Sequence, residues 1–131
     1  MVLTVLDYCV AQARKIPVVR GRQRVYAVIT DKKGRVLAES QNLYSKSHPE
    51  QKRLSMAVGL SEERAYLHAE VACIIKASKR LRKGLTGMLY VARVGYSGKP
   101  LDACPCVSCR LAIQECEWLS SVQYSIGGNE I

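Results

Sequence analysis

His-Ala-Glu at residues 68–70 and Pro-Cys-Val-Ser-Cys at residues 105–109 are the two segments around which this chain is organised. Each segment opens a predicted helix, and one predicted strand lies between them. Catalytic zinc sites commonly use three protein ligands and leave a fourth position open, and imidazole and thiolate are ligands that zinc prefers. The zinc ligands predicted from this pattern are His68, Cys106 and Cys109. We therefore predict one Zn²⁺ per chain.

The two cysteines of the second segment are spaced to bind one metal ion. Cys106 and Cys109 stand at positions i and i+3 of a predicted helix start, so both sulfur atoms can face one point. The free N–H groups and the positive dipole at the start of a helix also favour the thiolate form. The positions of the two sulfur atoms and the ease with which the thiols ionise therefore both suit metal binding.

Glu70 follows His68 by two residues, and this spacing imposes a condition on the fold. On a regular helix the two side chains would point about 200° apart, given roughly 3.6 residues per turn. Both can reach one site only if the helix begins near His68. Under that condition Glu70 lies beside the metal, where it can act as a general acid and base.

Two other interpretations of the cysteines remain open. Cys104 can serve as a fourth ligand, which would turn the open site into a closed structural site. A Cys-x-x-Cys pair can also act as a redox dithiol. The open catalytic site is favoured because proline precedes the pair and a glutamate follows the histidine. The cysteines on apolar helical faces, predicted to be small buried side chains, are Cys9, Cys73 and Cys116.

The composition indicates a globular domain without disulfides. Of the 131 residues, 48% are hydrophobic and 24% are charged, and we expect a single domain over residues 1–131 that buries its own core. The six cysteines accompany no recognisable signal peptide, so we expect a cytoplasmic location and no disulfide framework. No run of about 18 apolar residues is present, so no membrane span or membrane partner is expected.

The charge balance favours anionic partners. The chain has 20 Lys+Arg against 11 Asp+Glu, which gives a net charge of +9. Such an excess suits nucleotides, nucleic acid or other phosphate compounds. A single Trp and the absence of Phe disfavour a polynucleotide channel, which needs aromatic platforms for base stacking.

Hydrophobic periodicity predicts helices that alternate with strands after an initial hairpin. The predicted helices are residues 4–16, 68–83 and 105–118 with a shorter one at 49–58, and the predicted strands are 25–30, 35–40, 88–94 and 121–126. A turn at residues 31–34 joins the first two strands. Strands joined through a helix should be parallel. The chain is therefore predicted to be an α/β protein with a mixed sheet of at least four strands and helices packed on it.

The paired pattern His-x-Glu … Pro-Cys-x-x-Cys resembles the signature of zinc-dependent deaminases. The chain is similar to the cytidine/deoxycytidylate deaminase superfamily from the first predicted helix to the last strand. Ser-His-Pro-Glu-Gln at residues 47–51 and Tyr-Leu-His-Ala-Glu at residues 66–70 resemble small deaminases encoded by bacteriophages. The resemblance implies a three-layer αβα fold with an N-terminal hairpin pair and helices on both faces of the sheet.

The resemblance also implies roles for individual residues. Water activated by the zinc would attack C4 of cytosine or C6 of adenine, and Glu70 would carry protons to the ring nitrogen and the departing ammonia. Asn42 stands where the family has an asparagine that contacts the sugar, and the N–H of Ala69 would bind the base carbonyl. The loop residues predicted to stack on a base near the mouth of the site are Tyr44, His48 and Tyr96.

The function predicted from these observations is zinc-dependent hydrolysis of the C4 amino group of a cytosine-type nucleotide or nucleoside. One alternative is a deaminase that acts on cytosine or adenine in tRNA or single-stranded DNA. A non-enzymatic alternative is a basic nucleic-acid-binding module with a structural zinc. A substrate phosphate can be met by Lys46, Lys52 and Arg53. The last strand leaves an exposed sheet edge, so we also expect a homo-oligomer.

Overall fold

The computed structural model describes residues 4–59, 66–80 and 86–127. The helices are α1 (Val5–Lys15), α2 (Pro49–Ala57), α3 (Ala69–Ser78) and α4 (Val107–Glu115). The strands are β1 (Arg24–Asp31), β2 (Val36–Gln41), β3 (Leu43–Ser47), β4 (Tyr66–Leu67), β5 (Gly87–Val94), β6 (Pro100–Leu101) and β7 (Leu119–Tyr124). Within these described ranges, no helix is long and apolar enough to cross a membrane.

The main sheet is mixed, as the order of the predicted elements requires. Its path is β2-β1-β5, and both β6 and β7 lie beside β5. β1 is antiparallel to β2 and to β5, and its register with β5 runs from Arg24 opposite Val94 to Asp31 opposite Gly87. β7 is parallel to β5, and α4 lies between the two strands in the sequence. The predicted hairpin and the parallel crossover are thus confirmed.

β1 is apolar along most of its length because both of its faces are covered. Ile29 lies in one buried cluster with Cys73 of α3. Val28 lies in a different cluster with Cys9 of α1 and with Ala92 of β5. Successive strand side chains point to opposite faces of a sheet, so α1 and α3 pack on opposite sides. This arrangement confirms the predicted three-layer αβα fold.

α3 approaches the sheet closely because its contact face is made of small residues. Ala69, Cys73 and Ala77 recur every fourth position and are fully buried. The thiol of Cys73 lies 3.6 Å from the carbonyl oxygen of Ala27. Burial raises the pKa of the Cys73 thiol and also that of Cys9. Both cysteines are therefore buried packing residues, in agreement with the sequence-based prediction.

Both ends of α1 are closed by side chains. The hydroxyl of Thr4 accepts a hydrogen bond from the N–H of Asp7 at 3.0 Å, and the Asp7 carboxylate accepts one from the N–H of Thr4 at 3.1 Å. This reciprocal pair is a capping box. At the other end, Nη1 of the buried Arg24 donates to the carbonyl oxygens of Arg14 and Ile16, both at 3.2 Å. Arg24 therefore satisfies carbonyl groups at the end of α1.

Three strands were not predicted from the sequence. β3 and β4 form a separate two-stranded sheet, and β6 contains only two residues. β4 and β6, with two residues each, carry too few alternations for a period-two pattern to stand out, and β3 is polar in its last three residues. Their positions depend on partners that are distant in the sequence.

α4 is shorter than predicted at both ends. Cys106 caps the helix, and the extended backbone of Cys116, with φ −93° and ψ 91°, ends it after Glu115. The early end allows Leu119 to begin β7 opposite Gly87. The last residues of the predicted helix 68–83 lie outside the described residues.

Gly87 occupies a point in the sheet that has no room for a side chain. A Cβ atom there would lie 2.7 Å from Cζ3 of Trp118 and 3.2 Å from Cγ2 of Ile29. We predict that Gly87→Ala lowers the free energy of unfolding by about 1–3 kcal/mol, because overpacking forces the neighbours apart. Urea denaturation followed by circular dichroism measures this change.

A double-mutant cycle provides the control for Gly87→Ala. Trp118→Leu removes the ring atoms nearest to Gly87, so Gly87→Ala should cost less in that background than in the wild type. Equal costs in the two backgrounds would contradict the steric explanation.

Candidate active site

The two metal-binding segments sit at the starts of α3 and α4. His68 is the N-cap residue of α3, with φ −71° and ψ 150°. Cys106 is the N-cap residue of α4, with φ −68° and ψ 173°. Because His68 is extended rather than helical, the angular separation expected within a helix does not apply between it and Glu70. The condition set by the sequence, that the helix begin near His68, is therefore met.

The three predicted ligands converge to distances that suit a zinc ion. Nδ1 of His68 lies 3.6 Å from Sγ of Cys106 and 3.5 Å from Sγ of Cys109. All three ligand atoms lie within 4.8 Å of one another. A tetrahedral zinc with Zn–N of about 2.0–2.1 Å and Zn–S of about 2.3 Å places nitrogen and sulfur about 3.6 Å apart. The group is therefore positioned to bind one metal ion.

Cys104 stands outside this group, although the sequence left it as a candidate fourth ligand. Among the residues that the structure describes, the metal-binding group contains only His68, Cys106 and Cys109. The sulfur of Cys104 instead accepts a hydrogen bond from Nη2 of Arg110 at 3.5 Å. The arrangement is that of an open site with three protein ligands.

The two thiols of the site ionise unequally before a metal is bound. A hydrogen bond from Cys109 lowers the pKa of Cys106 to about 3, with further help from His68 and Ser108 and against the effect of burial. The same hydrogen bond, together with burial, raises the pKa of Cys109 well above its usual value. Metal binding requires thiolates and releases their protons. The pair therefore holds one negative charge, and binding of a cation displaces its remaining proton into the solvent.

Glu70 is a buried carboxyl group beside the metal ligands. It is 6% exposed and lies in the first turn of α3. Burial raises the pKa of its carboxyl group, and the nearby Cys106 raises it further. A carboxyl group with a raised pKa exchanges protons closer to neutral pH than an exposed one. This property suits a group that alternately accepts and donates a proton.

A cavity of about 250 Å³ opens onto the metal-binding group. Its wall includes His68, Glu70 and Cys106 together with side chains from the loop before β1 and from β5. The volume is slightly below the range of about 300–1,000 Å³ that is typical of small-molecule sites. A single nucleobase is the size of ligand that such a cavity can enclose.

The predicted substrate residues Asn42, Ala69 and Tyr44 are joined by hydrogen bonds. Oδ1 of Asn42 accepts a hydrogen bond from the N–H of Ala69 at 2.8 Å, and Nδ2 donates to the Tyr44 hydroxyl at 3.2 Å. Asn42 lines the cavity directly. Its side chain thus ties the turn between β2 and β3 to the first residue of α3.

The other loop residues predicted to approach the substrate are placed elsewhere. His48 is the N-cap of α2, where its Nδ1 accepts a hydrogen bond from the N–H of Glu50 at 3.1 Å. Tyr96 is 64% exposed and borders a neighbouring cavity. The predicted phosphate contact Arg53 is paired with the carboxylates of Glu50 and Glu115. His48 and Arg53 therefore have structural partners on α2 and α4.

Gln51 is a site residue that the sequence did not reveal. It is fully buried, and its Oε1 accepts a hydrogen bond from the backbone N–H of His68 at 3.2 Å. Its Nε2 donates to the hydroxyl of Ser55 at 3.1 Å. Gln51 and Ser55 lie on the buried face of α2 beside Leu54. Two of these three buried residues are polar, and no local sequence pattern indicates the contact between Gln51 and His68.

A column of rings packs against the ligand histidine. The ring of Tyr66 stacks on His68 with centroids 4.5 Å apart and an interplanar angle of 7°. The ring of Tyr44 stacks on Tyr66 at 4.3 Å and 30°. The guanidinium carbon of Arg22 lies 5.2 Å from the centroid of Tyr44. The stack fixes the plane of the His68 imidazole. Arg22, Tyr44 and Tyr66 lie far apart in the sequence, so no local sequence pattern predicts the stack.

Comparison with known proteins gives one match. The family model described as "Cytidine and deoxycytidylate deaminase zinc-binding region" matches residues 3–126. No curated protein and no solved structure matches the chain. The matched range includes both segments that open α3 and α4, and every strand of the sheet.

Removal of a single ligand should empty the metal site. We predict that Cys106→Ala reduces bound zinc from about one ion per chain to a small fraction of that, because only two of three protein ligands remain. The measurement is metal analysis of the purified protein after exposure to a chelator.

Cys104→Ala is the matched control for that loss. Cys104 is an exposed cysteine two residues away, and its sulfur lies outside the metal-binding group. The variant should keep its zinc. Zinc loss from Cys104→Ala equal to that from Cys106→Ala would place Cys104 among the ligands.

The hydrogen bond from His68 to Gln51 should contribute to metal affinity. We predict that Gln51→Leu weakens zinc binding by about 10–100-fold, the range typical when an outer partner of a metal ligand is removed. Competition with a colorimetric chelator measures the affinity.

Ser55→Ala serves as the control for Gln51→Leu. It removes the other hydrogen-bond partner of Gln51 and leaves the contact with His68 in place. A zinc affinity lowered equally by both variants would indicate a general packing effect rather than support of the ligand.

Proposed function

Because the chain belongs to the family of the cytidine and deoxycytidylate deaminase zinc-binding region, we propose that it hydrolyses the C4 amino group of a cytosine-type nucleotide or nucleoside. The family and the metal-binding group identify a zinc-dependent deaminase. The observation that carries the proposal is one cavity shared by the metal-binding group and the buried carboxyl group of Glu70.

The proposed reaction exchanges a C–N bond for a C–O bond at C4. Bound Zn²⁺ supplies a Lewis acid that makes water nucleophilic near neutral pH. Both protons of the attacking water end on nitrogen, and Glu70 carries each of them. The first proton reaches ring N3 as the C–O bond forms. The second reaches the amino group as the C–N bond breaks, so that ammonia leaves and a carbonyl remains.

The environment of Glu70 supports its role as the proton carrier. Burial raises the pKa of its carboxyl group, so it can hold a proton at a pH closer to neutral. Its position in the first turn of α3 holds the carboxyl group beside the ligands without making it one of them. A general acid and base is most effective when its pKa lies near the working pH.

Asn42 and Ala69 are proposed to position the substrate. One N–H of the Asn42 amide is used by Tyr44, which leaves its second N–H for a sugar hydroxyl. The N–H of Ala69 donates to Asn42. Binding of a base carbonyl at Ala69 would therefore exchange this hydrogen bond for one to the substrate.

A deaminase of tRNA or single-stranded DNA is the second candidate. The net charge of +9 supports this alternative, because basic surfaces favour polynucleotides. A binding module with a structural zinc receives less support, since such sites have four protein ligands.

We also propose that the protein forms a homo-oligomer. In either enzymatic case, β7 would lie at a sheet edge that a second copy of the chain can cover.

A substrate panel tests the proposal. Ammonia release should be assayed with cytidine, deoxycytidine, CMP, dCMP, a single-stranded oligodeoxynucleotide and tRNA. Release from a free cytosine compound supports the proposal, and release from a polynucleotide alone supports the second candidate. Absence of release from every compound by the zinc-loaded protein would contradict both.

Glu70→Gln should separate metal binding from catalysis. We predict that the variant keeps its zinc and loses about 10²–10⁴-fold in kcat, the usual contribution of general acid–base catalysis. Glu117→Gln removes the same charge from an exposed position and should keep full activity. A Glu70→Gln variant as active as the wild type would contradict the role of the carboxyl group.

A further inference from the structure

A second cavity of about 140 Å³ adjoins the one that contains the metal-binding group. Gln23 and Arg93 line both cavities, so the two spaces lie on either side of the same pair of residues. The second cavity is also bordered by Arg22, Arg24 and Tyr96. The two cavities are therefore adjacent, with Gln23 and Arg93 at their common boundary.

The second cavity differs from the first in its charge. Glu70 and Asp102 line the first cavity, and the carboxylate of Asp102 accepts a hydrogen bond from the N–H of Cys104 at 3.2 Å. Neither acid lines the second cavity, and none of the described residues that border it is acidic. Its three arginines consequently make it a site for an anion.

The arginines of this cavity have different structural roles. Arg24 is buried, and its guanidinium is engaged by the carbonyl oxygens of Arg14, Ile16 and Gly95. Arg24 therefore contributes a fixed positive charge to the wall of the second cavity. Arg22 is exposed and lies over the ring of Tyr44, so it is held at the rim of the cavity.

Arg93 has a charge that no carboxylate in the described structure balances. It is partly buried in β5, and its Nη1 donates to the backbone carbonyl oxygen of Asp102 at 3.3 Å. The ion pairs found in the described residues involve Arg35 and Arg53 but not Arg93. Its remaining N–H groups can donate to an anionic ligand, and hydrogen bonds between a guanidinium and phosphate are among the stronger ones in proteins.

We propose that the second cavity binds the phosphate group of the substrate, with Arg93 as its principal ligand and Arg22 at the rim. This inference rests on the proposed deaminase function, because it places the base beside Glu70 and the sugar near Gln23. The substrate is therefore a nucleotide rather than an unphosphorylated nucleoside. The phosphate belongs either to a free monophosphate or to a nucleic-acid strand.

Tyr44 supports this site as a positioning residue. Its hydroxyl accepts a hydrogen bond from the N–H of Gln23 at 2.8 Å and donates to the carbonyl oxygen of Gln23 at 3.3 Å. These contacts fix the backbone of Gln23, the residue next to Arg22, against β3.

The test compares nucleotides with nucleosides in matched variants. The wild type should show a kcat/KM for dCMP or CMP at least tenfold above that for the corresponding nucleoside. Arg93→Gln should lower this ratio at least tenfold, since a charged hydrogen bond to phosphate is lost. Arg22→Gln should lower it less, because an exposed charge is screened by solvent.

Lys99→Gln is the control for a change in overall charge. Lys99 is exposed on the neighbouring loop and does not line either cavity. This variant should keep the nucleotide-to-nucleoside ratio of the wild type. An equal fall in the ratio for Lys99→Gln and Arg93→Gln would overturn the proposal, because the effect would then come from the general field.

The two sources of phosphate are separated by a third substrate. An oligodeoxynucleotide with one cytosine should be the better substrate if the cavity takes a strand phosphate, and dCMP should be better if it takes a monophosphate. Equal kcat/KM values for nucleosides and all phosphorylated compounds would overturn the proposal.

A binding measurement distinguishes failure of this inference from failure of the proposed function. Calorimetric titration of Glu70→Gln with dCMP and with deoxycytidine requires no turnover. Tighter binding of dCMP, lost in the Glu70→Gln/Arg93→Gln double variant, supports the phosphate site even if no compound releases ammonia. Equal affinities for the two ligands would contradict it. Arg93→Lys, which keeps the charge, should retain part of the preference and shows that Arg93→Gln acts through charge rather than misfolding.

Discussion

The site depends on one constraint, namely that both metal-binding segments lie at the first residues of a helix. His68 and Cys106 are extended N-cap residues, so each side chain projects away from the helix that follows it. Glu70 is then already helical and can face the same cavity as His68. Helix starts also provide free N–H groups and a positive dipole, which favour thiolates near them. The backbone conformation at two residues thus decides whether ligands and carboxyl group can meet.

The packing of α3 against the sheet holds His68 and Glu70 at a fixed position in the molecule. The small residues Ala69, Cys73 and Ala77 let the helix lie close against β1 and β5. Gln51 then holds the backbone of His68 from α2, and Tyr66 holds the imidazole plane. The ligand is supported by the sheet, by a neighbouring helix and by a ring. Each support comes from a different part of the chain.

The sequence predicted the elements that carry a strong periodic pattern and the residues that carry a motif. The helices α1 and α3, the hairpin of β1 and β2, and the parallel pairing of β7 all follow from apolar spacing and connection rules. The metal-binding group follows from the chemistry of histidine and cysteine at two helix starts. Glu70 could be placed near it only through the condition on where α3 begins.

The remaining site residues act through contacts between distant segments, which no local pattern records. Gln51 and Tyr66 resemble ordinary helix and strand residues until His68 is placed beside them. Arg24 and Arg93 are equally basic in the sequence, yet Arg24 donates to the carbonyl groups that end α1 and Arg93 donates to the carbonyl group of Asp102. Their different roles depend on which carbonyl and carboxylate groups surround each guanidinium. Those surroundings are set by tertiary packing.

X-ray absorption at the zinc K-edge tests the central claim most directly. An open site formed by His68, Cys106 and Cys109 predicts two sulfur ligands at about 2.3 Å and two nitrogen or oxygen ligands at about 2.0–2.1 Å. The spectrum should change when a small anion that binds zinc is added, because one position is exchangeable. Three sulfur ligands and a spectrum that does not respond would contradict the claim, since the site would then be closed and structural.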